Sequence, residues 1–321
     1  MIIVTGAAGF IGSHIVSGLN KENYTDIIAV DDLTDGRKFK NLSVNRLTDY
    51  LDCGDFLKKI ENNFLFKRSV DAVFRQGASV ITTEKNGKQV MSNNYEYSKA
   101  ILHYCLKQNI PLIYASSAAV YGQSKYSSES SNGTPLNVYA YSKYLFDQYC
   151  LPYMTSEFPP IVGLRYFNVY GRRESHKESM ASMAWQGMNQ LNNHGVVRLF
   201  GAHGGCAAGE HARDFIFVAD IVRVNLWFLN QPHLHGIFNV GTGQARSFNE
   251  LAKILIQLQG FGKIEYIEFP ESLKESYQHY TCADIRKLRQ SGYEAPFHSL
   301  EEGLQKYFLA LPLEHCNLHE D

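Results

Sequence analysis

The sequence predicts an α/β protein: a doubly wound parallel sheet followed by a smaller mixed α/β domain. Three observations carry that expectation. Through the first half, short β-branched runs alternate with longer segments of helical periodicity, the pattern of βαβ units whose strands are buried on both faces. A glycine-rich turn, Gly6-Ala7-Ala8-Gly9-Phe10-Ile11-Gly12, follows the first such run at once. After residue 167 the regular alternation loosens, as expected where a chain leaves a sheet to build a second unit.

Strands are expected at 2–4, 27–30, 70–74, 112–116 and 161–165. Between the first two, Ile11, Ile15 and Leu19 recur every four residues and form one apolar helical stripe. Residues 95–107 read as a helix with Ile101, Leu102 and Cys105 on one side, and 139–154 as another before the fifth strand. Further on, 215–218 and 237–240 read as short strands and 249–259 as a helix, while 201–209 (GAHGGCAAG) is a glycine-rich loop without periodicity. The simplest division is a nucleotide-binding domain of residues 1–167 with about 214–240, and a substrate domain of about 168–213 with 241–321.

The bulk properties exclude several classes. With 321 residues, 45% hydrophobic and 20% charged, the chain has an ordinary globular composition. A net charge of -1 provides no basic footprint for nucleic acid or an anionic membrane. No apolar run approaches the roughly 20 residues that span a bilayer, and the start lacks the features of a signal peptide. The six cysteines show no C-x-x-C pair and read as reduced thiols; Cys150 in particular reads as a core thiol. A cytoplasmic setting and a small-molecule partner are therefore expected.

The glycine turn sits where a Rossmann sheet binds a dinucleotide. Gly6 permits the tight turn, Gly9 lets the backbone approach a pyrophosphate, and Gly12 allows close helix–strand packing. The helix that follows offers free N–H groups and a positive dipole end to phosphates. The second strand ends in Asp31-Asp32, and an acid there accepts hydrogen bonds from ribose hydroxyls, which favours NAD. Arg37 and Lys38 follow closely and could pair a 2′-phosphate, which favours NADP. These residues alone leave both cofactors open.

Residues 139–143 read Tyr-Ala-Tyr-Ser-Lys, so Tyr139 and Lys143 share one face of the expected helix. A phenol near pKa 10 is a poor base at neutral pH, and a neighbouring ammonium lowers that value. The fourth strand runs into Ser116-Ser117, and Ser117 at its carboxyl end would polarise a reacting oxygen. His203, Cys206 and His211 are metal-ligand types in the 201–209 loop and just beyond it, but no fourth ligand follows at regular spacing. No metal is expected.

The motifs TGAAGFIG, SSAAVYG, YAYSK, RYFNVYG, RDFIFVADI and IFNVGTG occur in order along nearly the whole chain. Together they resemble the extended short-chain dehydrogenase/reductases, the group of nucleotide-sugar epimerases and dehydratases. Within that group DGRKF (35–39), TTEKNGK (82–88), NNYEYSK (93–99), LNVYAYSKYLFDQY (136–149), RYFNVYGRRESHKESMAS (165–182) and IEYIEFP (264–270) resemble the branch that inverts C6 of an ADP-linked heptose.

The resemblance implies transient oxidation and re-reduction of that carbon with tightly bound NADP, or alternatively NAD, one per subunit of a homo-oligomer. It implies a second base, Lys177, opposite Tyr139. Phe10, Ile11, Asp31, Asp32, Lys38, Gln76, Gly77, Ala78, Ser79, Val80, Asn93, Lys143, Val169 and Lys177 match cofactor positions. Asn168, Ser179, Gln186, Phe200, Arg213 and Tyr277 match substrate positions. The chain also departs from the branch: RQGASVITTE (75–84) replaces HEGACSSTTE, Cys53 and Gln186 replace a lysine and a histidine, and the loop before Arg213 is longer. A UDP-sugar 4-epimerase would not need Lys177. A dehydratase would want an acid beside Ser117, where the chain has Ala118-Ala119. A non-catalytic cofactor sensor could dispense with the tyrosine, lysine and serine altogether.

Overall fold

The computed structural model describes residues 1–79, 86–124, 127–131, 133–274 and 277–310. Strands β1 (Ile2–Thr5), β2 (Ile27–Asp31), β3 (Asp49–Asp52), β4 (Ala72–Arg75), β5 (Leu112–Ser117) and β6 (Ile161–Tyr166) alternate with helices in the first half. Strands β7 (Asn168–Tyr170), β8 (Val196–Phe200), β9 (Ala212–Phe217), β10 (Gly236–Val240), β11 (Ala245–Ser247) and β12 (Lys263–Ile267) follow. Seven of them form a parallel sheet in the order β10-β6-β5-β4-β1-β2-β3. The order reverses between β1 and β4, the switch point at which open α/β sheets leave a crevice.

Alternation within the strands builds two cores. Ile2 and Val4 of β1 point to one face and join Ile15, Leu19, Ile221 and Val224 from the helices Phe10–Lys21 and Val218–Leu229. Ile3 points to the other face, with Ile101, Leu102 and Phe146 from the helices Tyr97–Gln108 and Val138–Cys150. Period-two side chains on a sheet covered twice make the core strands apolar up to their carboxyl ends, where Asp31, Arg75, Ser116 and Arg165 stand. That rule misses β3, whose Asp-Tyr-Leu-Asp sequence lies at the sheet edge and is only partly buried.

Beyond β6 the chain builds two small sheets, β11-β9-β7 and β12-β8, over a third core containing Met188, Leu199, Leu251 and Leu304. It returns to the large sheet through the helix Val218–Leu229 and β10. The boundary expected near 214 falls inside β9, which belongs to a small sheet. Cys150 is fully buried, and the five cysteines among the described residues are all free. No helix among the described residues is long and apolar enough to cross a membrane.

Candidate active site

A cleft of about 730 Å³ opens along the carboxyl ends of β1, β4, β5 and β6 and continues over the small sheets. Phe10 and Ile11 of the glycine turn line one end of the cleft. Gly6 has φ +70°, and a Cβ there would lie 2.2 Å from the Gly77 nitrogen; a Cβ on Gly12 would lie 2.0 Å from the Gly6 carbonyl oxygen. The loops after β1 and β4 thus touch through bare backbone. The helix Phe10–Lys21 starts at Gly9 with no side chain capping it, so its first N–H groups remain available to an anion. This cradle fits a dinucleotide pyrophosphate, with Phe10, Ile11, Gln76 and Ala78 on the adjacent wall.

The acidic strand end divides its work. Asp31 is buried and accepts hydrogen bonds from the Ala8 N–H at 2.7 Å, the Asp32 N–H and the Lys38 ammonium at 2.7 Å. It therefore braces the glycine turn, while Asp32 stands exposed beside it. Arg37 is held by Asp35 and by Glu178, at 2.8 Å. Ser79 is clamped by Asn94, whose side chain accepts from its N–H and donates to its carbonyl. Asn93, one residue earlier and exposed, accepts from Arg75 through its carbonyl. Val80 lies outside the described residues. Gln76 bonds Tyr166 and Asn225, and Cys53 opens the helix Cys53–Glu61 behind Asp52.

Tyr139, Lys143 and Ser117 all line the cleft. Asn137 caps the helix Val138–Cys150 by accepting from the Ala140 N–H, which places Tyr139 in its first turn. Burial raises the Tyr139 phenol and its hydrogen bond with Ser117 lowers it. Ser117 also accepts from the Ala119 N–H at 3.1 Å, so it caps the strand end and faces the phenol at once. Lys143 is buried, donates to the Ala115 carbonyl at 2.8 Å, and is pushed down to about 7 by burial and by the neighbouring Arg75. A lysine that titrates near neutrality can hold or release a proton beside the phenol.

A second part of the lining is the turn Ser175–Met180 and the start of the helix Met183–His194. Lys177 lines it, with its ammonium 5.2 Å from the Phe10 ring centroid and 4.0 Å from the buried Glu174 carboxylate. Burial lowers the Lys177 ammonium and Glu174 raises it. Ser179 and Gln186 share this part of the lining, and Gln186 donates to the Glu178 and Ser179 carbonyls. Asn168 and Val169 approach from β7, and Phe200, Arg213 and Tyr277 close the far end. Arg213 is buried with its guanidinium 4.9 Å from the Tyr277 ring and 5.4 Å from Phe248. Its neighbour Asp214 does not pair with it, accepting instead from Thr242, Gly243 and Ala283.

Three residues that sequence reasoning passed over hold this arrangement. Glu174 accepts from the Ser182 N–H at 2.6 Å and the Ser182 hydroxyl at 2.7 Å, fixing the turn that carries Lys177. Asp147 receives Arg165 at 2.8 Å, Ser116 at 2.9 Å and Tyr114 at 3.0 Å, all buried. Arg75 has a buried, unpartnered Nε and depresses Lys143. Asp147 was findable: Tyr139, Lys143 and Asp147 repeat every four residues on one helical face. Glu174 and Arg75 carry no comparable spacing.

The chain matches the NAD dependent epimerase/dehydratase family over residues 2–241. It is 49% identical over 322 residues to an ADP-L-glycero-D-manno-heptose-6-epimerase of Pseudomonas aeruginosa, covering 95% of this chain and 97% of that relative. Among solved structures it is similar to the ADP-L-glycero-D-manno-heptose-6-epimerase of Helicobacter pylori, with TM-score 0.84, 32% identity, and 98% and 96% of the two chains covered. It is also similar to a UDP-N-acetylglucosamine 4-epimerase of Methanobrevibacter ruminantium, with TM-score 0.83, 26% identity and 98% of each chain covered. With the glycine cradle, the Ser117–Tyr139–Lys143 centre and that match across most of its length, the chain belongs to the NAD dependent epimerase/dehydratase family.

Proposed function

We propose that this chain epimerises ADP-D-glycero-D-manno-heptose at C6 to the L-glycero form, as a step that supplies heptose to lipopolysaccharide. The observation that carries this reading is that two proton-handling groups, Tyr139 and Lys177, line one cleft from separate elements of the chain. When bound, the nicotinamide cofactor supplies reversible hydride exchange, which makes the sugar carbon a transient carbonyl centre.

Tyr139 gives or takes the proton of the reacting oxygen on one face, with Ser117 polarising that oxygen and Lys143 able to hold or release a proton one helical turn away. Lys177 does the same on the other face once the sugar carbon has turned over. Glu174 and Phe10 set its position. Asn168, Ser179, Gln186, Phe200 and Tyr277 hold the substrate, and Arg213 takes the diphosphate: among the described residues no carboxylate pairs with its buried guanidinium. Ala118 and Ala119 line the cleft beside Ser117, so the acid that elimination of water would use is missing at that place.

The cofactor we assign is NADP, one per chain, held at Gly6, Gly9, Gly12, Asp31, Asp32, Lys38, Gly77, Ser79 and Asn93. Lys38 neutralises Asp31 at 2.7 Å, which removes one of the two acids that would repel a 2′-phosphate. The enzyme is assigned to the cytoplasm as a homo-oligomer. Two measurements test the reading. The purified chain is offered ADP-D-glycero-D-manno-heptose and UDP-glucose separately, and product stereochemistry is read by NMR. Inversion of the heptose at C6 is expected, and inversion of only the UDP-sugar would refute the assignment. Mass spectrometry of cofactor released by denaturation then identifies NADP, whereas NAD would overturn that choice.

A further inference from the structure

At the far end of the cleft, two stretches distant in sequence run side by side: the loop before Arg213 and the segment around His279. Gly204 and Gly205, with φ +59° and +81°, make a tight turn in which the His203 N–H donates to the Cys206 carbonyl at 3.1 Å and the Cys206 N–H to the His203 carbonyl at 3.0 Å. Two left-handed glycines between paired backbones form a compact hairpin. A Cβ on Gly204 would meet the His279 ring at 2.2 Å, so the turn is moulded around that imidazole. Further along, the Ala212 N–H donates to the His279 carbonyl and the Thr281 N–H to the Ala212 carbonyl, both at 3.1 Å. This pairing sets His211 and His279 side by side with ring centroids 5.3 Å apart.

The hydrogen-bonding account of this cluster is incomplete. His211 is 1% exposed, yet its Nε2 has no partner, and the buried Nδ1 of His279 has none either. An unsatisfied buried polar atom costs about 1–3 kcal/mol, so two in one cluster call for a common occupant. Cys206, His211 and His279 each bring one ligand atom to the same place, all within 4.8 Å of one another. The His211 ring also hydrogen-bonds the His203 backbone, the kind of outer contact that orients a ligating imidazole.

We propose that Cys206, His211 and His279 form a binding site for a zinc-class divalent cation, with water in the fourth position. One thiolate and two neutral imidazoles suit a borderline-soft ion that accepts tetrahedral geometry. Bonds of about 2.0–2.3 Å place tetrahedral ligands about 3.3–3.7 Å apart, so the three ligand atoms, now within 4.8 Å of one another, draw together on binding. Binding releases the Cys206 thiol proton to solvent and forms the metal–sulfur bond, with no change of oxidation state. Arg213 stands close enough to act electrostatically on both Cys206 and His279. Its charge opposes the ion, so the site is weaker than a cysteine-rich zinc site and holds a readily exchanged metal. The ion ties the loop containing Cys206 and His211 to the segment containing Tyr277 and His279, and so stiffens the end of the cleft where Arg213 and Tyr277 lie.

The test is titration of the full chain, freed of metal by chelator, with CoCl2. Tetrahedral visible absorption and a thiolate charge-transfer band should saturate at one cobalt per chain and disappear when ZnCl2 is added. Cys206→Ser should lose the charge-transfer band, and His279→Ala should weaken binding at least tenfold while circular dichroism stays unchanged. A spectrum of aqueous octahedral cobalt throughout the wild-type titration would overturn the site, and so would unaltered binding in the Cys206→Ser, His279→Ala double variant. The wild-type titration decides the matter even if a variant does not fold. None of these readouts involves turnover, so they stand or fall apart from the proposed epimerisation.

Discussion

Tyr139 and Lys177 face the same cleft from separate pieces of chain, and their environments differ in kind. Burial raises the phenol and Ser117 lowers it, whereas burial lowers the Lys177 ammonium and one carboxylate raises it. Replacing both, Tyr139→Phe with Lys177→Met, should abolish epimerisation while cofactor binding and the circular dichroism spectrum persist; normal turnover by this double variant would defeat the two-base assignment. Each single change should cost on the order of 10²–10⁴ in kcat, the usual contribution of a positioned acid or base. Glu174 acts through Lys177, so Glu174→Gln probes position and electrostatics together. Its carboxylate raises the Lys177 ammonium, and removing it should therefore lower that pKa and move the corresponding limb of the kcat–pH profile to lower pH. An unshifted profile, whatever the loss in rate, would make Glu174 a purely structural support of the turn at Ser182.

At the scale of elements, the site depends on where strands stop and on what begins there. The loops after β1 and β4 can touch only because Gly6 and Gly77 present bare backbone. Gly6→Ala meets Gly77 backbone at 2.2 Å and sits at φ +70°, so it should cost about 2–4 kcal/mol of stability and weaken cofactor affinity more than tenfold. Gly36→Ala is the control: nothing lies within 4 Å of the added Cβ, and thermal denaturation with cofactor titration should find it within about 0.5 kcal/mol of the parent. The turn Ser92–Glu96 is a π-helical widening of the helix that follows, and Asn94 reaches from it to clamp Ser79. Such widenings recur at functional sites. An expected helix at 95–107 takes in the regular part and only the last two residues of the widening, because the apolar periodicity that marks a helix does not report an extra residue in a turn.

The molecule as a whole trades stability for a reactive centre. Lys143 is buried at the end of the large sheet with its ammonium pushed down to about 7, against about 10.4 in an unfolded chain. Between those values the unfolded chain binds a proton that the folded chain does not, so the penalty is full below pH 7 and fades as pH rises towards 10. Lys143→Met should accordingly stabilise the cofactor-free protein by ~2 kcal/mol at pH 6, after losing the hydrogen bond to Ala115, with the gain shrinking towards pH 10. Denaturant melts across pH measure it, and a constant or negative effect would mean that the buried ammonium is not the cost. Compensation comes from the Asp147–Arg165 pair with Ser116, Tyr114 and Tyr121, which binds the catalytic helix to β5 and β6.

What the amino-acid sequence determined by itself was everything encoded at short spacing. The glycine turn after β1, Tyr139 with Lys143 one helical turn apart, and the apolar strands of the large sheet are local patterns whose physics is complete within a few residues. The polar edge strand β3 was invisible for the converse reason, since an edge needs little burial. The roles proposed for Lys177 and the substrate-side positions rest on resemblance rather than on spacing. The tertiary structure alone decided that Asp31 braces the glycine turn, that Glu174 stands 4.0 Å from Lys177, and that Arg213 is buried away from Asp214. It also brought His279 to Cys206 and His211 across more than 60 residues of chain. Such contacts depend on how separate elements pack, and packing leaves no periodicity in the sequence from which a partner could be read.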